Sequence, residues 1–396
     1  MKPVFMVIGS GHRHELVIEK VKKLGMDALV VTNASESRAA LIADYYEKAD
    51  VTDIKMIEKI ARAYGIVGSI TVAETAVPTC CYINEALDLP NQGRGISQVV
   101  RDKYLMRQSF AKNNVRSPVF YKIENEEDYR IVEKIIKAVI HLWPYIVKPT
   151  DGENSRGVTK IMEFDQFHAA VEHARKNSNN GKIIVEQYIV GLEIGAQCFC
   201  INGEMALCLI HNDGLSDQMV PIAHSFPVCL DEQTVSEVKE ECAKALQSLG
   251  IQNGPSNVDI IIDEEGRPHI LEIGARMGGT ELPQLVEAHS GIDIIEASIL
   301  LASGKTVELP TPKNIPVASM VIHFDKTARV KTIENYDHLV KRYKPLEYRV
   351  DLGINTKVKP SHKKYGYVIY SGDDAKSAER QCARFIRKLK RLVEFN

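Results

Sequence analysis

The sequence predicts an α/β N-terminal domain built on a parallel sheet, followed by α+β segments. Three observations carry this. Apolar strand-like runs alternate with amphipathic helix-like runs over residues 1–95, the pattern of a parallel sheet covered by helices. Between residues 118 and 280, strand-like runs come in neighbouring pairs across short polar connections. Residues 306–396 mix short strands with a closing basic helix.

The elements follow in order. VFMVIGS is a strand, HELVIEKVKKLG a helix and DALVVT a second strand; MIEKIARAYG is a helix, GSITVAE a third strand and VPTCCYINEALDLP a third helix. The first turn, Gly9-Ser10-Gly11-His12-Arg13-His14, starts like a dinucleotide fingerprint. His14 stands at the third glycine position, however, and the second strand ends in Asn33 rather than an acid, so the turn argues against NAD. It still faces the carboxyl ends of the strands, which makes His12, Arg13 and Glu74 candidate substrate contacts. Residues 97–117 read as a helix with Lys103 near its start, and residues 126–141 as another. PYIVKPTDGENSRGVTKIM is strand, polar Gly-containing loop, strand; FDQFHAAVEHARKN is a helix; KIIVEQYI and EIGAQCFCING are strands. A hairpin spans 256–280, PQLVEAHSGIDIIEASILLASG is helical, and the terminal helix is DDAKSAERQCARFIRKLKRLVEF, with Cys382, Phe385, Ile386, Leu389 and Leu392 facing inward.

The 396 residues suggest two to four domains, and 44% hydrophobic content allows real cores. A net charge of −2 gives no bulk footprint for nucleic acid. The basic terminal helix is accounted for by its amphipathic pattern. No run approaches the ~20 apolar residues of a membrane span, and MKPVFMVIG lacks the length of a signal segment. The expectation is a soluble cytoplasmic protein with neither nucleic-acid nor membrane partners. The eight cysteines show no zinc-type spacing and read as buried free thiols in a reducing compartment.

Three constellations carry chemistry. In the first, Lys148 ends a strand and precedes Asp151-Gly152-Glu153-Asn154-Ser155-Arg156-Gly157, a loop whose backbone N–H groups could wrap phosphates. It is not a Walker loop, and a hairpin turn beside a solvated lysine explains it equally well. The second is Glu186-Gln187-Tyr188-Ile189-Val190-Gly191-Leu192-Glu193, a strand, a connector and a strand. Such a connector could read an adenine edge with its backbone, and a nearby carboxylate could bridge ribose hydroxyls. Glutamates at strand edges are also common without function. The third is SNVDIIIDEEGRPHILEIGARMGGT. A two-residue turn at Glu265-Gly266 would set Asp259 directly opposite Glu272 on one face. Facing like charges destabilise a ladder unless something sits between them, and oxygen-only ligation favours magnesium. Arg276 and Gly278-Gly279 follow at once, a combination suited to phosphate chemistry.

In this order the three motifs resemble the ATP-grasp superfamily, over essentially the whole chain. The chain looks most like the carboxylate–amine ligases related to L-amino acid ligases; the formate-dependent glycinamide ribonucleotide transformylase group is similar in layout. The resemblance implies a Rossmann-like pre-ATP-grasp domain (1–96), an ATP-grasp domain (97–304, with a mobile lid about 118–187 and a catalytic part about 188–304) and a small C-terminal α+β domain (305–396). It implies ATP and magnesium as cofactors, with manganese as the alternative ion, and a homodimer. Residue by residue, Lys103 and Lys148 match lysines that contact ATP phosphates. Ser155, Arg156 and Gly157 match the loop that closes over the triphosphate. Glu186, Gln187 and Ile189 match the hinge that reads adenine, mostly through backbone, and Glu193 the ribose carboxylate. Asp259 and Glu272 match magnesium ligands. Arg276 matches the arginine that steadies the transferring phosphate, so the catalytic roles fall to Arg276 and Lys148.

One departure stands out. The family pattern Glu-x-Asn-x-Arg has Gly274 at its asparagine, removing one metal ligand; Asn257, on the same expected face as Asp259, is a candidate substitute. His224, in the polar segment after His211-Asn212-Asp213, is a candidate substrate contact, as are Glu74, Lys363 and Lys364. The implied activity is ATP-dependent joining of a small-molecule carboxylate to an amine through an acyl phosphate, with release of ADP and phosphate. Two alternatives stay open: a purine-pathway-like enzyme activating formate or bicarbonate, favoured by the basic segment His362-Lys363-Lys364-Tyr365-Gly366, and an inactive ATP-binding protein, for which Gly274 would be the sign.

Overall fold

The computed structural model describes residues 2–90, 92–152, 156–215, 221–360 and 364–396. The chain opens with β1 (Val4–Ile8), α1 (His12–Lys23), β2 (Asp27–Val31), α2 (Arg38–Ile42), β3 (Tyr45–Glu47), α3 (Ile54–Tyr64), β4 (Gly68–Ile70) and α4 (Val77–Ala86). The four strands form a parallel sheet in the order β3-β2-β1-β4. β1 and β2 are buried after their first residue, as strands covered on both faces are. Sequence periodicity misses α2 and β3, which are five and three residues long and too short to show a period.

The β1–α1 turn is closed by its own histidine. Gly9 sits at φ +118°, and a Cβ there would lie 2.3 Å from Nε2 of His14. That nitrogen is 3.1 Å from the Ile8 carbonyl oxygen. Burial, aided by the Arg13 charge, pushes the His14 imidazole down to about 4. A neutral ring therefore fills the space that a third glycine would leave open.

Next come α5 (Lys103–Lys112), β5 (Phe120–Ile123), α6 (Glu126–Ala138), β6 (Tyr145–Pro149), β7 (Thr159–Ile161), α7 (Phe167–Lys176) and β8 (Ile183–Gln187). The helix expected over 97–117 starts only at Lys103; residues 97–101 are turns. Asp102 sets the start by accepting from the Tyr104 and Leu105 N–H groups. The strands form an antiparallel sheet, β5-β8-β6-β7. Val132 and Ile136 of α6 and Phe167 and Val171 of α7 share a buried core with Val147 and Val185 of the sheet.

The chain continues with β9 (Gly191–Ile201), β10 (Glu204–Leu215), β11 (Pro221–Phe226), α8 (Glu232–Ser248), β12 (Gly254–Asp263) and β13 (Pro268–Gly274). β12 pairs antiparallel with β9 and with β13. Asp259 does face Glu272, but by a different route from the one expected. The turn has three residues: Asp263 N–H donates to the Arg267 carbonyl, and Gly266 takes φ +79°. That register alone would leave Glu272 out of step. A bulge between Asp259 and Ile260 restores it, with Leu271 as the extra residue of β13. The burial of β13 switches phase there, with Pro268, Ile270, Ile273 and Gly274 buried and Leu271 and Glu272 adjacent and half-buried.

The single helix expected after the hairpin is two, α9 (Leu282–Ser290) and α10 (Ile294–Ala302), broken where Gly291 takes φ +76°. The remainder is β14 (Val317–Val321), β15 (Ala328–Ile333), α11 (Asp337–Tyr343), β16 (Glu347–Val350), β17 (Lys357–Val358), β18 (Gly366–Ser371), α12 (Ala375–Lys390) and β19 (Val393–Phe395). α12 opens on a capping box between Asp374 and Ser377 and buries Cys382, Phe385, Ile386 and Leu389. It stops at Lys390; Val393–Phe395, expected as its last turn, instead pairs with β15.

The chain divides into two compact units. The first comprises Met1–Cys208, Asp231–Met277 and Ile294–Leu309; the second comprises Leu209–Leu230, Gly278–Asp293 and Pro310–Asn396. Among the described residues no helix is long and apolar enough to cross a membrane. Six of the eight cysteines are buried, whereas Cys208 is half-buried and Cys229 exposed, against the expectation that all are inside.

Candidate nucleotide and metal site

Within the first unit, α5 and the β6–β8 pair build a buried ionic core. Ile146 of β6 faces Glu186 of β8, so Lys148 lies one diagonal step from Glu186 on the same face. Lys148 Nζ is 2.6 Å from Glu186 Oε2. Arg107, fully buried, brings Nε to 2.9 Å from Glu186 Oε1. Burial pushes the Glu186 carboxyl up, but Arg107 and then Lys148 outweigh it and hold the group below the ordinary carboxylate range. Burial lowers the Lys148 ammonium, and Glu186 only partly offsets this. The expected adenine-side role of Glu186 thus does not extend to its side chain, which is 3% exposed and committed to two cations.

Arg107 is the residue the sequence reading missed. It follows Lys103 by one helical turn and shares its face of α5, a signal present but unread. Its guanidinium also donates to the carbonyl oxygen of Leu271, the bulged residue. Lys103 donates to the Gly152 carbonyl at 2.8 Å and pairs with Glu272 Oε1 at 2.9 Å. Two cations one turn apart thereby tie the start of the loop after β6 and the Leu271–Glu272 stretch of β13 to one helix.

The hairpin supplies the second half. Burial raises the Glu272 carboxyl, but Lys103 and then Lys148 lower it further, leaving it ionised. Asn257, opposite Gly274 in the ladder, donates from Nδ2 to Asp259 Oδ1 at 2.8 Å, and its Oδ1 accepts from Gln197 at 2.7 Å. Asn257 thus stands between Gln197 and Asp259, and its amide nitrogen orients the Asp259 carboxylate. A Cβ on Gly274 would lie 3.1 Å from Glu74 Oε2 and 3.3 Å from Arg276 Cζ. Glu74 Oε2 sits 2.7 Å from Arg276 Nε, so an ion pair borders the place where an asparagine side chain would begin. Burial works against the Arg276 charge, but Glu74, then Asp259 and Glu272, raise its pKa.

Of the remaining expected residues, Ile189 is 8% exposed and its N–H has no hydrogen-bond partner among the described residues, whereas the Gln187 and Tyr188 N–H groups donate to Val119 and Pro144. Glu193 is half-buried on β9, opposite Ile261. Arg156 is exposed, and Gly157 takes φ +73° with room for a Cβ blocked by Asn177 and Pro149. Ser155 and Lys363 lie outside the described residues.

The second unit holds a separate cluster. Asp213 Oδ1 lies 2.6 Å from His224 Nδ1 and 2.9 Å from His211 Nδ1. Burial lowers the His224 pKa despite Asp213, so the ring is neutral near pH 7. Its buried Nε2 has no hydrogen-bond partner among the described residues. Lys364 donates to the Thr280 hydroxyl. Thr280 and Glu281 are consecutive non-glycine residues at φ +54° and +62°, a strained entry to α9.

Residues 141–284 match the ATP-grasp domain family. The alanine–anticapsin ligase of Bacillus subtilis is 25% identical over 289 residues, covering 67% of this chain and 60% of that protein. The chain thus spans about three-fifths of the length of that relative. The L-amino acid ligase of Bacillus licheniformis superposes over 100% of this chain and 99% of its own with a TM-score of 0.81 at 20% identity. Phosphoribosylglycinamide synthetase from Anaerococcus prevotii gives 0.78, also at 20% identity, with 100% and 99% coverage. The matched segment runs from just before Lys148 to just past Arg276 and takes in Glu186, Asp259 and Glu272 but not Lys103 and Arg107 of α5, and the likeness in fold extends over the full chain.

Proposed function

We propose that this protein is an ATP-dependent ligase that joins a small-molecule carboxylate to an amine and releases ADP and phosphate. The observation that supports it most is the buried network in which Lys103, Arg107 and Lys148 are anchored by Glu186 and Glu272, with Asp259 opposite Glu272. In this reading Lys103 and Lys148 hold the phosphates of ATP, the Ile189 backbone meets adenine and Glu193 the ribose. Asp259 and Glu272 offer hard oxygen donors only, which fits magnesium or manganese, and such an ion would neutralise phosphate charge. Arg276, fixed by Glu74, steadies the phosphoryl group as it moves.

The chemistry is positioning and charge neutralisation. A carboxylate is a poor acyl donor because its leaving group is oxide. Phosphorylation by ATP makes it an acyl phosphate, and attack by the amine expels phosphate. No side-chain nucleophile is required. The neutral His224, with Nδ1 held by Asp213 and Nε2 unused, is suited to contact a substrate hydrogen-bond donor; Lys364 and Lys363 suit an anionic group. The matching domain division is 1–96, 97–304 and 305–396.

The test is ADP release with magnesium over a matrix of amino acids and other amines. ADP formation that needs both a carboxylate and an amine supports the reading. AMP as product, or no nucleotide binding, rejects it, and ADP release only with glycinamide ribonucleotide and formate would replace it with the purine-pathway alternative.

A further inference from the structure

Behind the hairpin sheet, three thiols converge. Cys198 of β9, Cys208 of β10 and Cys242 of α8 place their Sγ atoms within 4.8 Å of one another. Cys198 and Cys242 are buried, and Cys208 is half-buried. Their spacing in sequence gives no hint of this, since a strand pair and a distant helix bring them together. None is in a disulfide, whose sulfurs would lie about 2.05 Å apart.

We propose that Cys198, Cys208 and Cys242 form a three-coordinate thiolate site for a soft monovalent cation of the Cu(I) class. Three ligands around one ion at a metal–sulfur distance near 2.3 Å stand roughly 4 Å apart, compatible with the observed cluster. Thiolates select soft ions. Structural zinc almost always takes four ligands, and the cluster has three members among the described residues. Glu241, next to Cys242, is already committed to Lys244 and the Arg116 N–H. Binding of a soft ion displaces the thiol protons, since the thiolate is the ligand. Cys208 provides the approach from solvent.

The site has a defined relation to the front of the sheet. Successive strand residues face opposite sides, so Cys198 lies immediately behind Gln197. Gln197 holds Asn257, which holds Asp259. An ion on the thiols would fix the strand that carries this relay. The inference stands independently of the ligase reading.

The test uses the full, reduced chain carrying Cys229→Ser, which removes the exposed thiol outside the cluster. Cu(I) buffered by a chromophoric chelator is titrated, and copper-edge X-ray absorption counts the sulfur neighbours. The expected result is one equivalent withdrawn per chain with three sulfur scatterers. Affinity should fall at least about tenfold, the scale on which even outer-shell changes act, in each of Cys198→Ala, Cys208→Ser and Cys242→Ala. Circular dichroism and unfolding midpoints identify variants that do not fold; Cys208→Ser, at the half-buried position, is the mildest change and decides the matter if the others fail. Withdrawal of copper that is unchanged in folded Cys208→Ser, two sulfur scatterers, or no withdrawal at all overturns the proposal.

Discussion

Arg107→Leu tests whether Glu186 is the hub of the ionic core. Arg107 is fully buried and serves two acceptors, the Glu186 carboxylate and the Leu271 carbonyl. Breaking a buried ion pair costs about 3–5 kcal/mol. Lys148 remains 2.6 Å from Glu186, which argues for the lower end, while the orphaned Leu271 carbonyl adds about 1–3 kcal/mol. A loss near 4 kcal/mol follows from these ranges. Lys148→Met is the control. It leaves Glu186 paired with Arg107, strands no backbone group, and removes a charge that burial already disfavours, so it should cost less than Arg107→Leu. Urea unfolding of the two variants beside the parent, with ADP affinity measured in parallel, separates the roles. Arg107→Leu should be the stability mutant and Lys148→Met the nucleotide-binding mutant. If Lys148→Met destabilises more than Arg107→Leu, or Arg107→Leu costs under about 1 kcal/mol, the hub assignment is wrong.

Three further outcomes are expected. Asp259→Asn and Glu272→Gln should each abolish the tightening of ADP binding by magnesium in calorimetry; retention of it in both variants rejects the metal pair. Gly274→Asn, which restores the family residue, should lower turnover about tenfold by displacing the Glu74–Arg276 pair, on the scale of small misplacements; faster turnover would contradict that account. His14 stays neutral in the folded protein down to about 4, whereas the unfolded chain takes the proton near 6.5. Its contribution is therefore fully present above pH 6.5 and is lost as pH falls from 6.5 towards 4, at up to about 1.4 kcal/mol per pH unit. His14→Gln should flatten the stability profile across that window, and an unchanged slope excludes His14 as its source.

Much of this architecture is legible in the sequence because local pattern and chemistry coincide. The strands of the N-terminal sheet are apolar runs between helices, and the 256–280 hairpin is written into its sequence, although Asp259 meets Glu272 through a three-residue turn and a bulge rather than the two-residue turn expected. What escapes reading is set by tertiary contact. Arg107 looks like any solvated helix arginine until β8 brings Glu186 beneath it. Nothing in the sequence tells that Asn257 is held by Gln197 and itself holds Asp259. Cys198, Cys208 and Cys242 meet only because α8 packs near two strands. The division of the helix at Gly291 was visible as a glycine, but the apolar run on both sides masked it. The short α2 and β3 carry too few residues for any periodic signal.

The bulge at Leu271 separates two jobs within one hairpin. Beyond it, towards Gly266, the strands keep one phase; before it, towards Arg276, they keep another. Were the distal register continued without the bulge, Asp259 would face Leu271, and Glu272 would turn to the side lined by Val258. The tip of the hairpin is therefore insulated from the chemistry at its base. Loop grafts or length changes across residues 264–266 can be absorbed distally, while closing the bulge with every residue kept would change which residues of the two strands meet. That asymmetry marks the tip as a place to attach a reporter or a tether, and the bulge as the position to leave untouched when the chain is engineered.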